Sequence, residues 1–247
     1  KIWRRLVDWY DREETRHYRQ AEARLKDVTE HQLNVMVSHA FIPGSVIRLH
    51  TQWRNIDRFQ LKLFKVDLVK NLHLDEGGHS PSEWIKTLKV RELDPVYDKT
   101  VETGDKRDHE RGAQEIVLDR APKDGAYLAV GYVDGTEQSR ELVLISRLSV
   151  VARASTNRTL VWVCDSVDGH PLPGADVKLW QRVRVGRQWR WNSFDRKADE
   201  QGLVVFEDMG DFPSMDWLAT ARFNDQQNLS LFPNPRRNAY SQPWKIY

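Results

Sequence analysis

Two hydrophobic periods divide the chain, a helical one at its start and a strand-like one afterwards. Between residues 2 and 28, apolar side chains recur every three to four positions with charged side chains between them, which predicts one long amphipathic α-helix within residues 1–31. The apolar stripe consists of Trp3, Val7, Tyr10, Tyr18, Ala21, Leu25 and Val28. Such a helix does not fit inside a β-sandwich, so we expect the stripe to cover a sheet edge, a preceding helix or a partner protein.

From residue 32 onwards, apolar positions alternate with polar ones, as in strands that are buried on one face. After Leu63 the parity of the apolar positions shifts, which predicts a bulge or a strand that bends from one sheet to the other. The apolar positions beyond the shift are Phe64, Val66 and Leu68. Residues 73–113 form a long excursion from the strand pattern, with a short helix predicted near residues 82–93.

The strand pattern indicates two modules, residues 32–143 and residues 144–247. Neither a glycine-rich nor a proline-rich linker separates them. Instead, an apolar run over residues 142–151 leads from the last strand of one module into the first strand of the next, which predicts a stiff junction. The predicted fold class is therefore mainly β, with two consecutive antiparallel β-sandwich domains preceded by a long amphipathic α-helix.

The second module carries the most specific motif of the chain. Residues 168–179 read D-G-H-P-L-P-G-A-D-V-K-L, and residues 199–206 read D-E-Q-G-L-V-V-F, with Gly202 placed for a tight turn. This pair of segments resembles a macroglobulin-type domain near the N-terminus of bacterial alpha-2-macroglobulin-like proteins. Related patterns occur in carboxypeptidase regulatory-like and invasin-type sandwiches. Residues 41–46 and 53–67 are similar to the preceding module of the same macroglobulin family.

The resemblance implies a non-catalytic region of a periplasmic protease inhibitor or trap that acts in bacterial defence. The chain would then serve as scaffold and protein-interaction surface. Proteases would be the targets of the full-length protein, companion envelope proteins would be further partners, and an anchor to the inner membrane would lie in parts not present here. The same strand pattern is typical of cell-surface adhesion or glycan-binding modules, which is the alternative function.

Composition argues against several other classes of function. The 38 basic and 36 acidic residues nearly cancel to a net charge of +2, which gives no general attraction to nucleic acid or to an anionic membrane. No apolar stretch of the sequence is long enough to span a bilayer. Because the chain begins with Lys1 instead of Met and has no signal-peptide core, we expect it to be a piece of a longer protein.

The candidate chemical groups predict neither an enzyme nor a cofactor. No nucleophile, base and orienting group can be assembled from the sequence. The histidines and glutamates near the middle of the chain lack the spacing of metal ligands; they are His73, Glu76, His79 and Glu83. The single cysteine, Cys164, is followed by Asp-Ser-Val, whereas the thioester of many relatives is built from Cys-x-Glu-Gln. Its place in a strand predicts a buried, unreactive thiol.

Two groups of residues are candidate protein-interaction surfaces. The first is a hairpin near Gly186 in which two tryptophans alternate with arginines: Trp189, Trp191, Arg184, Arg187 and Arg190. The second is the start of the helical stripe: Trp3, Val7 and Tyr10. Aromatic rings among arginines anchor protein interfaces and also stack on sugars or bases. The same pattern arises when tryptophan packs into a sandwich and arginines surround its rim.

Overall fold

The structure is a computed structural model that describes residues 2–10, 15–37, 40–74, 83–106, 109–120, 122–154, 158–207 and 214–233. The helices within these residues are α1 (Ile2–Trp9), α2 (Tyr18–Thr29) and a short 3₁₀ helix (Trp84–Thr87). In the described part of residues 82–93, the predicted helix is limited to this 3₁₀ helix. The strands are β1 (Gln32–Met36), β2 (Arg48–Arg54), β3 (Arg58–Val66), β4 (Tyr97–Glu102), β5 (Arg111–Val117), β6 (Gly125–Val133), β7 (Thr136–Ile145), β8 (Leu148–Ala154), β9 (Arg158–Asp165), β10 (Asp176–Val185), β11 (Gln188–Lys197), β12 (Leu203–Glu207), β13 (Ser214–Phe223) and β14 (Gln226–Pro233).

The first module is a sandwich of two antiparallel sheets. One sheet has the strand order β1-β2-β5, and the other has the order β4-β3-β6-β7. Leu49 and Trp53 of β2 and Leu61 and Leu63 of β3 are buried in the core between these sheets. Because alternate residues of a strand face opposite sides, these positions produce the period of two seen in the sequence.

The second module repeats this arrangement of three strands against four. Its sheets have the orders β12-β9-β8 and β11-β10-β13-β14, and all of their pairs are antiparallel. Val161, Leu179, Phe206 and Trp217 are buried in the core between them. The predicted fold class, mainly β with two consecutive antiparallel sandwiches, is confirmed.

A third apolar core lies between the two modules. It contains side chains from the outer faces of the four-stranded sheets of both modules. The segment between β3 and β4 adds Leu68, Leu72, Leu74, Leu88 and Val90 to the same core. The first module contributes Phe64, Val66, Leu128 and Val130, and the second contributes Trp180, Trp191 and Leu218. Burial of large apolar side chains is the dominant stabilising contribution in such a contact, and it joins the two sandwiches into one packed body.

The third core explains the parity shift after Leu63. β3 pairs with β6 in unbroken register from Gln60 to Val66, so the predicted bulge or bend is wrong. Leu63 faces the core of the first sandwich, whereas Phe64 and Val66 face the third core. A strand that is buried on both faces loses the alternation of apolar and polar residues. The same reason accounts for the nearly continuous apolar run of β6.

A buried glutamine links the modules at this core. The N–H of Leu68 donates a hydrogen bond of 2.7 Å to Oε1 of Gln227 in β14, and Nε2 of the same side chain lies 3.5 Å from the carbonyl oxygen of Val66. A buried amide is costly unless its polar atoms have partners. The Gln227 bonds therefore favour one alignment of β14 against the end of β3.

A charged bridge lies beside the glutamine. The Arg222 guanidinium of β13 donates to Asp67 Oδ2 at 3.0 Å and to Asp176 Oδ2 at 3.1 Å, so it joins a carboxylate of the first module to one of the second. Hydrogen bonds from Lys197 and then from Arg222 lower the pKa of Asp176. The bridge therefore depends on both carboxylates being ionised.

The connection between the modules is short. Only residues 146–147 separate β7 from β8, so the predicted start of the second module at residue 144 falls within β7. The N–H of Arg147 donates to Gln226 Oε1 at 2.9 Å, and the N–H of Phe41 donates to the carbonyl of Leu144 at 2.8 Å. These bonds tie both ends of the connection to neighbouring elements. The stiffness of this junction stays a prediction, which these bonds support.

The N-terminal segment forms two helices where the sequence pattern predicts a single long one. α1 ends at Trp9 and α2 begins at Tyr18. The described residues before α2, at positions 15–17, are not helical, and because they are polar a helix through them would bury no apolar side chain. Among the described residues, no helix has the length and hydrophobicity that crossing a membrane requires.

The C-terminal end of α2 is held by the loop that joins β2 to β3. Arg54 Nη1 donates to the carbonyl of Asp27 at 3.0 Å, and Asn55 Nδ2 donates to the carbonyls of Val28 and Glu30 at 2.8 and 3.1 Å. The last carbonyls of a helix lack partners within it, and a positive charge beside them is favourable. The first sandwich therefore positions α2, and α1 packs against α2.

Candidate interaction surfaces

The first predicted surface lies on the hairpin of β10 and β11. Gly186 at its tip has a φ of +62°, a left-handed conformation that favours glycine. The register pairs Arg184 with Trp189 and Arg182 with Trp191. Because residues paired directly across two strands share a face, these four side chains lie together on the outer face of the sheet.

Trp191 belongs to the third core instead of an exposed surface. Its side chain is 4% exposed and lies with Trp180 in the apolar cluster between the modules. This corrects the prediction that Trp191 forms part of a surface for a partner protein. The outer face of the hairpin is the face that packs on the first module, and sequence alone does not show which face a neighbouring module covers. The glycan-binding alternative loses one of its two aromatic rings for the same reason.

The tip of the hairpin is exposed and basic. Trp189 is half-buried, with the Arg182 guanidinium 4.9 Å and the Arg184 guanidinium 6.0 Å from its ring centroid, distances at which cations stabilise an aromatic face. Arg184, Arg187 and Arg190 are all exposed. None of these three arginines forms an ion pair with an acidic group among the described residues. The structure thus brings together four of the five hairpin residues as a surface and removes Trp191.

The second predicted surface, on α1, is only partly covered. Trp3 is 41% exposed and Tyr10 is 48% exposed, while Val7 is half-buried. Two neighbours outside the predicted stripe or group, Ile2 at 78% and Trp9 at 71%, are exposed even further. Among the described residues α1 packs mainly on α2, and a short helix with one main neighbour leaves most of its circumference uncovered.

A third apolar surface was not predicted from the sequence. On the outer face of the β12-β9-β8 sheet, Leu203, Trp162 and Val151 lie side by side in register, with Val205 and Leu160 in the next row. Four of these five side chains are exposed, and Trp162 is half-buried. The sequence feature that could have predicted this surface is the run of consecutive apolar residues in β9 and in β12, which indicates strands that are apolar on both faces.

The candidate chemical groups among the residues that the structure describes include the cysteine and potential metal ligands. Cys164 is 4% exposed, which confirms its predicted burial, and this burial, followed by the charge of Asp165, raises the pKa of the thiol. A thiol of raised pKa is a poor nucleophile near neutral pH. Within the described residues, no group of three His, Cys, Asp or Glu side chains could hold a metal ion. Of the four residues considered as ligands, Glu76 and His79 lie outside that part of the chain.

Comparison with protein-family models and with curated protein sequences finds no match to this chain. Solved structures do match. A crystal structure of native alpha-2-macroglobulin from Escherichia coli spanning domains MG0-NIE-MG1 is 18% identical in sequence, with a TM-score of 0.51, and the match covers 82% of this chain and 64% of that chain. This protein therefore spans less than two thirds of that structure.

A second crystal structure of the Escherichia coli protein spans domains NIE-MG1 only. It is 19% identical, with a TM-score of 0.51, and the match covers 82% of this chain and 97% of that one. At this level of identity the likeness is one of fold. The chain therefore has the fold of the NIE-MG1 region of bacterial alpha-2-macroglobulin, which confirms the resemblance predicted from its second module.

Proposed function

We propose that this chain is a non-catalytic region of a longer, periplasmic alpha-2-macroglobulin-like protein that traps or inhibits proteases in bacterial defence. In that protein the chain acts as scaffold and as protein-interaction surface. The observation that carries the proposal is the pair of sandwiches matched over 97% of the Escherichia coli NIE-MG1 structure. That match supports a shared place in a larger protein, because it covers two consecutive modules and not a lone sandwich.

The third core supports the scaffold role. A scaffold must hold neighbouring modules at a fixed angle when a load or a partner acts on one of them. Here the apolar cluster around Trp180 and Leu128, the Gln227 hydrogen bonds and the Arg222 bridge act at one interface. Mobile domain pairs have small polar interfaces, whereas this one has a buried apolar centre and charged groups at its edge.

The non-catalytic role rests on the chemistry of the described residues. The chain has one cysteine, and burial raises the pKa of its thiol. The turn aspartates Asp165 and Asp168 accept backbone hydrogen bonds from Val167 and His170, which lower the pKa of both carboxyl groups and keep them ionised. Ionised turn carboxylates stabilise loops and are poor general acids near neutral pH.

The test is a protease assay on the longer protein that carries this chain. A trap encloses a protease without blocking its active site, so we expect the longer protein to slow digestion of a labelled protein substrate while cleavage of a short chromogenic peptide continues. The 247-residue chain alone should neither inhibit nor hydrolyse either substrate. Cell fractionation of the source bacterium should place the longer protein in the periplasm.

Three results would contradict the proposal. Equal inhibition of the protein and peptide substrates would indicate a ligand of the protease active site instead of a trap. Hydrolysis of either substrate by the chain alone would show that it is an enzyme. If the longer protein affected neither serine, cysteine nor metallo-proteases, the proposed role as a protease inhibitor or trap would be wrong.

A further inference from the structure

β11 is the longest open edge that the described strands provide. It is a ten-residue strand that pairs with β10 on one side, and no other described strand pairs with its outer side. Seven of its ten side chains are exposed. The other ten-residue edge, β7, lies against β1. An edge strand presents a row of N–H and C=O groups that can pair with a further strand, so natural proteins protect long edges.

The hairpin tip that leads into β11 carries charge of one sign only. The segment 182–190, which contains the hairpin tip and the start of β11, has four arginines and no acidic residue, in a chain whose total charge is only +2. Arg182 lies 3.5 Å from Asp216, but Arg184, Arg187 and Arg190 have no ion-pair partner in the described part of the chain. A cluster of positive charges repels basic strands and attracts acidic ones.

We propose that the β11 edge and the three hairpin arginines bind an acidic, extended peptide segment of a partner protein by strand addition. The backbone groups of β11 would supply the hydrogen bonds, and the arginines would select carboxylate side chains at the end nearest the hairpin tip. Trp189 holds the Arg184 guanidinium near its ring before the peptide binds. The Arg184 side chain therefore loses less conformational entropy on binding. This proposal does not depend on protease inhibition.

The probe is a fluorescein-labelled peptide of ten residues, the length of β11, in which glutamate and valine alternate. Binding to the complete chain is followed by fluorescence anisotropy. The variant R184E/R187E/R190E should weaken binding about tenfold or more, because each attraction becomes a repulsion. Raising the salt concentration from about 0.05 M to about 0.5 M should weaken binding by the wild type, since screening shortens the reach of exposed charges.

A matched control separates this surface from the net charge of the chain. The variant R24E/R111E/R153E reverses three exposed arginines on α2, β5 and β8, and it should bind the peptide within about twofold of the wild type. Far-ultraviolet circular dichroism and the thermal midpoint of both variants establish that each one is folded. A loss of binding by both variants to the same degree would mean that net charge alone attracts the peptide, and the proposal would fall.

Two further peptides test the strand pairing. A glutamine-valine peptide should bind at least about tenfold more weakly than the glutamate-valine peptide. A glutamate-valine peptide with N-methyl groups at alternate residues keeps its charge but loses N–H donors on one edge, so it should also lose binding. Equal binding of either peptide would overturn the proposal, as would hydrogen–deuterium exchange that shows no added protection within residues 188–197 in the complex. Binding to phosphatidylglycerol vesicles through the same arginines, without peptide binding, would identify a lipid surface instead.

Discussion

Replacing Trp191 with alanine should destabilise the two modules together. Trp191 is 4% exposed in the third core, so the substitution removes a large buried side chain and leaves a cavity between two sheets that are each fixed by their own sandwich. Truncations of buried Phe or Trp to Ala cost about 3–5 kcal/mol. With a midpoint change of about 2–4 °C per kcal/mol for a chain of this size, we expect the thermal midpoint to fall by roughly 10 °C.

The matched control is Trp189→Ala, two residues away on the same strand face. Trp189 is half-buried, and the guanidinium groups of Arg182 and Arg184 lie over its ring, a kind of contact that contributes about 0.5–1 kcal/mol. The midpoint of this variant should fall by no more than a few degrees. Differential scanning calorimetry gives both midpoints and also the number of transitions.

The number of transitions tests the reasoning independently of the midpoint. If Trp191 joins the modules, its loss should reduce cooperativity, so that one transition broadens or separates into two. Equal midpoints for the Trp191 and Trp189 variants would refute the role of the third core. A single sharp transition at a lower midpoint would show that the two modules stay coupled without Trp191.

Three further predictions concern other parts of the chain. Cys164 should resist iodoacetamide in the native state at about pH 8 and react in guanidinium chloride, because burial raises the pKa of its thiol; rapid native labelling would contradict this. Hydrogen bonds from Lys197 and Arg222 lower the pKa of Asp176 in the folded state. The ionised carboxylate therefore stabilises the fold above the ordinary carboxyl pKa of about 4, and this stabilisation is lost as the pH falls through the folded-state pKa. Asp176→Asn should therefore reduce stability near neutral pH but not at about pH 2, and a constant difference in urea denaturation at both pH values would be the contrary result. Gly202→Ala should cost about 2 kcal/mol or more, because φ is +72° and the new Cβ would lie 2.4 Å from a backbone oxygen of β9. Gly174→Ala is the control and should cost only about 1 kcal/mol, because its φ is +75° but the space around it is open. Equal costs in urea denaturation would show that the contact at Gly202 is relieved.

The sandwiches themselves could be predicted because their signals are local. Leu49, Trp53, Leu61 and Leu63 alternate along β2 and β3, and the turn between the strands is short, so periodicity alone identifies both strands and their buried faces. The motif around Gly202 likewise depends on a turn that only a few residues define. Such features are fixed by neighbours in sequence, and they were predicted correctly.

The third core could not be predicted, because it depends on which outer faces meet in space. Phe64 and Trp191 lie on the outer faces of their sandwiches, and both are buried in the third core. The shift of parity at Phe64 was visible in the sequence, but a bulge and a second buried face give the same pattern. Trp191 looked like a surface residue for the same reason. Of the candidate hairpin surface, the arginines and Trp189 could be predicted, while the open edge of β11 required the strand order.

The shared core has a consequence for synthesis on the ribosome. The first sandwich can form once β7 has been made, but the outer face that carries Phe64 and Leu128 then has only the cover of residues 68–90, and the rest of the third core follows with β10, β11 and β13. At about 5–20 residues per second, this interval lasts on the order of ten seconds. Exposed apolar sheet of this kind is a substrate for holding chaperones, which would keep the nascent chain from aggregating until the second sandwich closes over it.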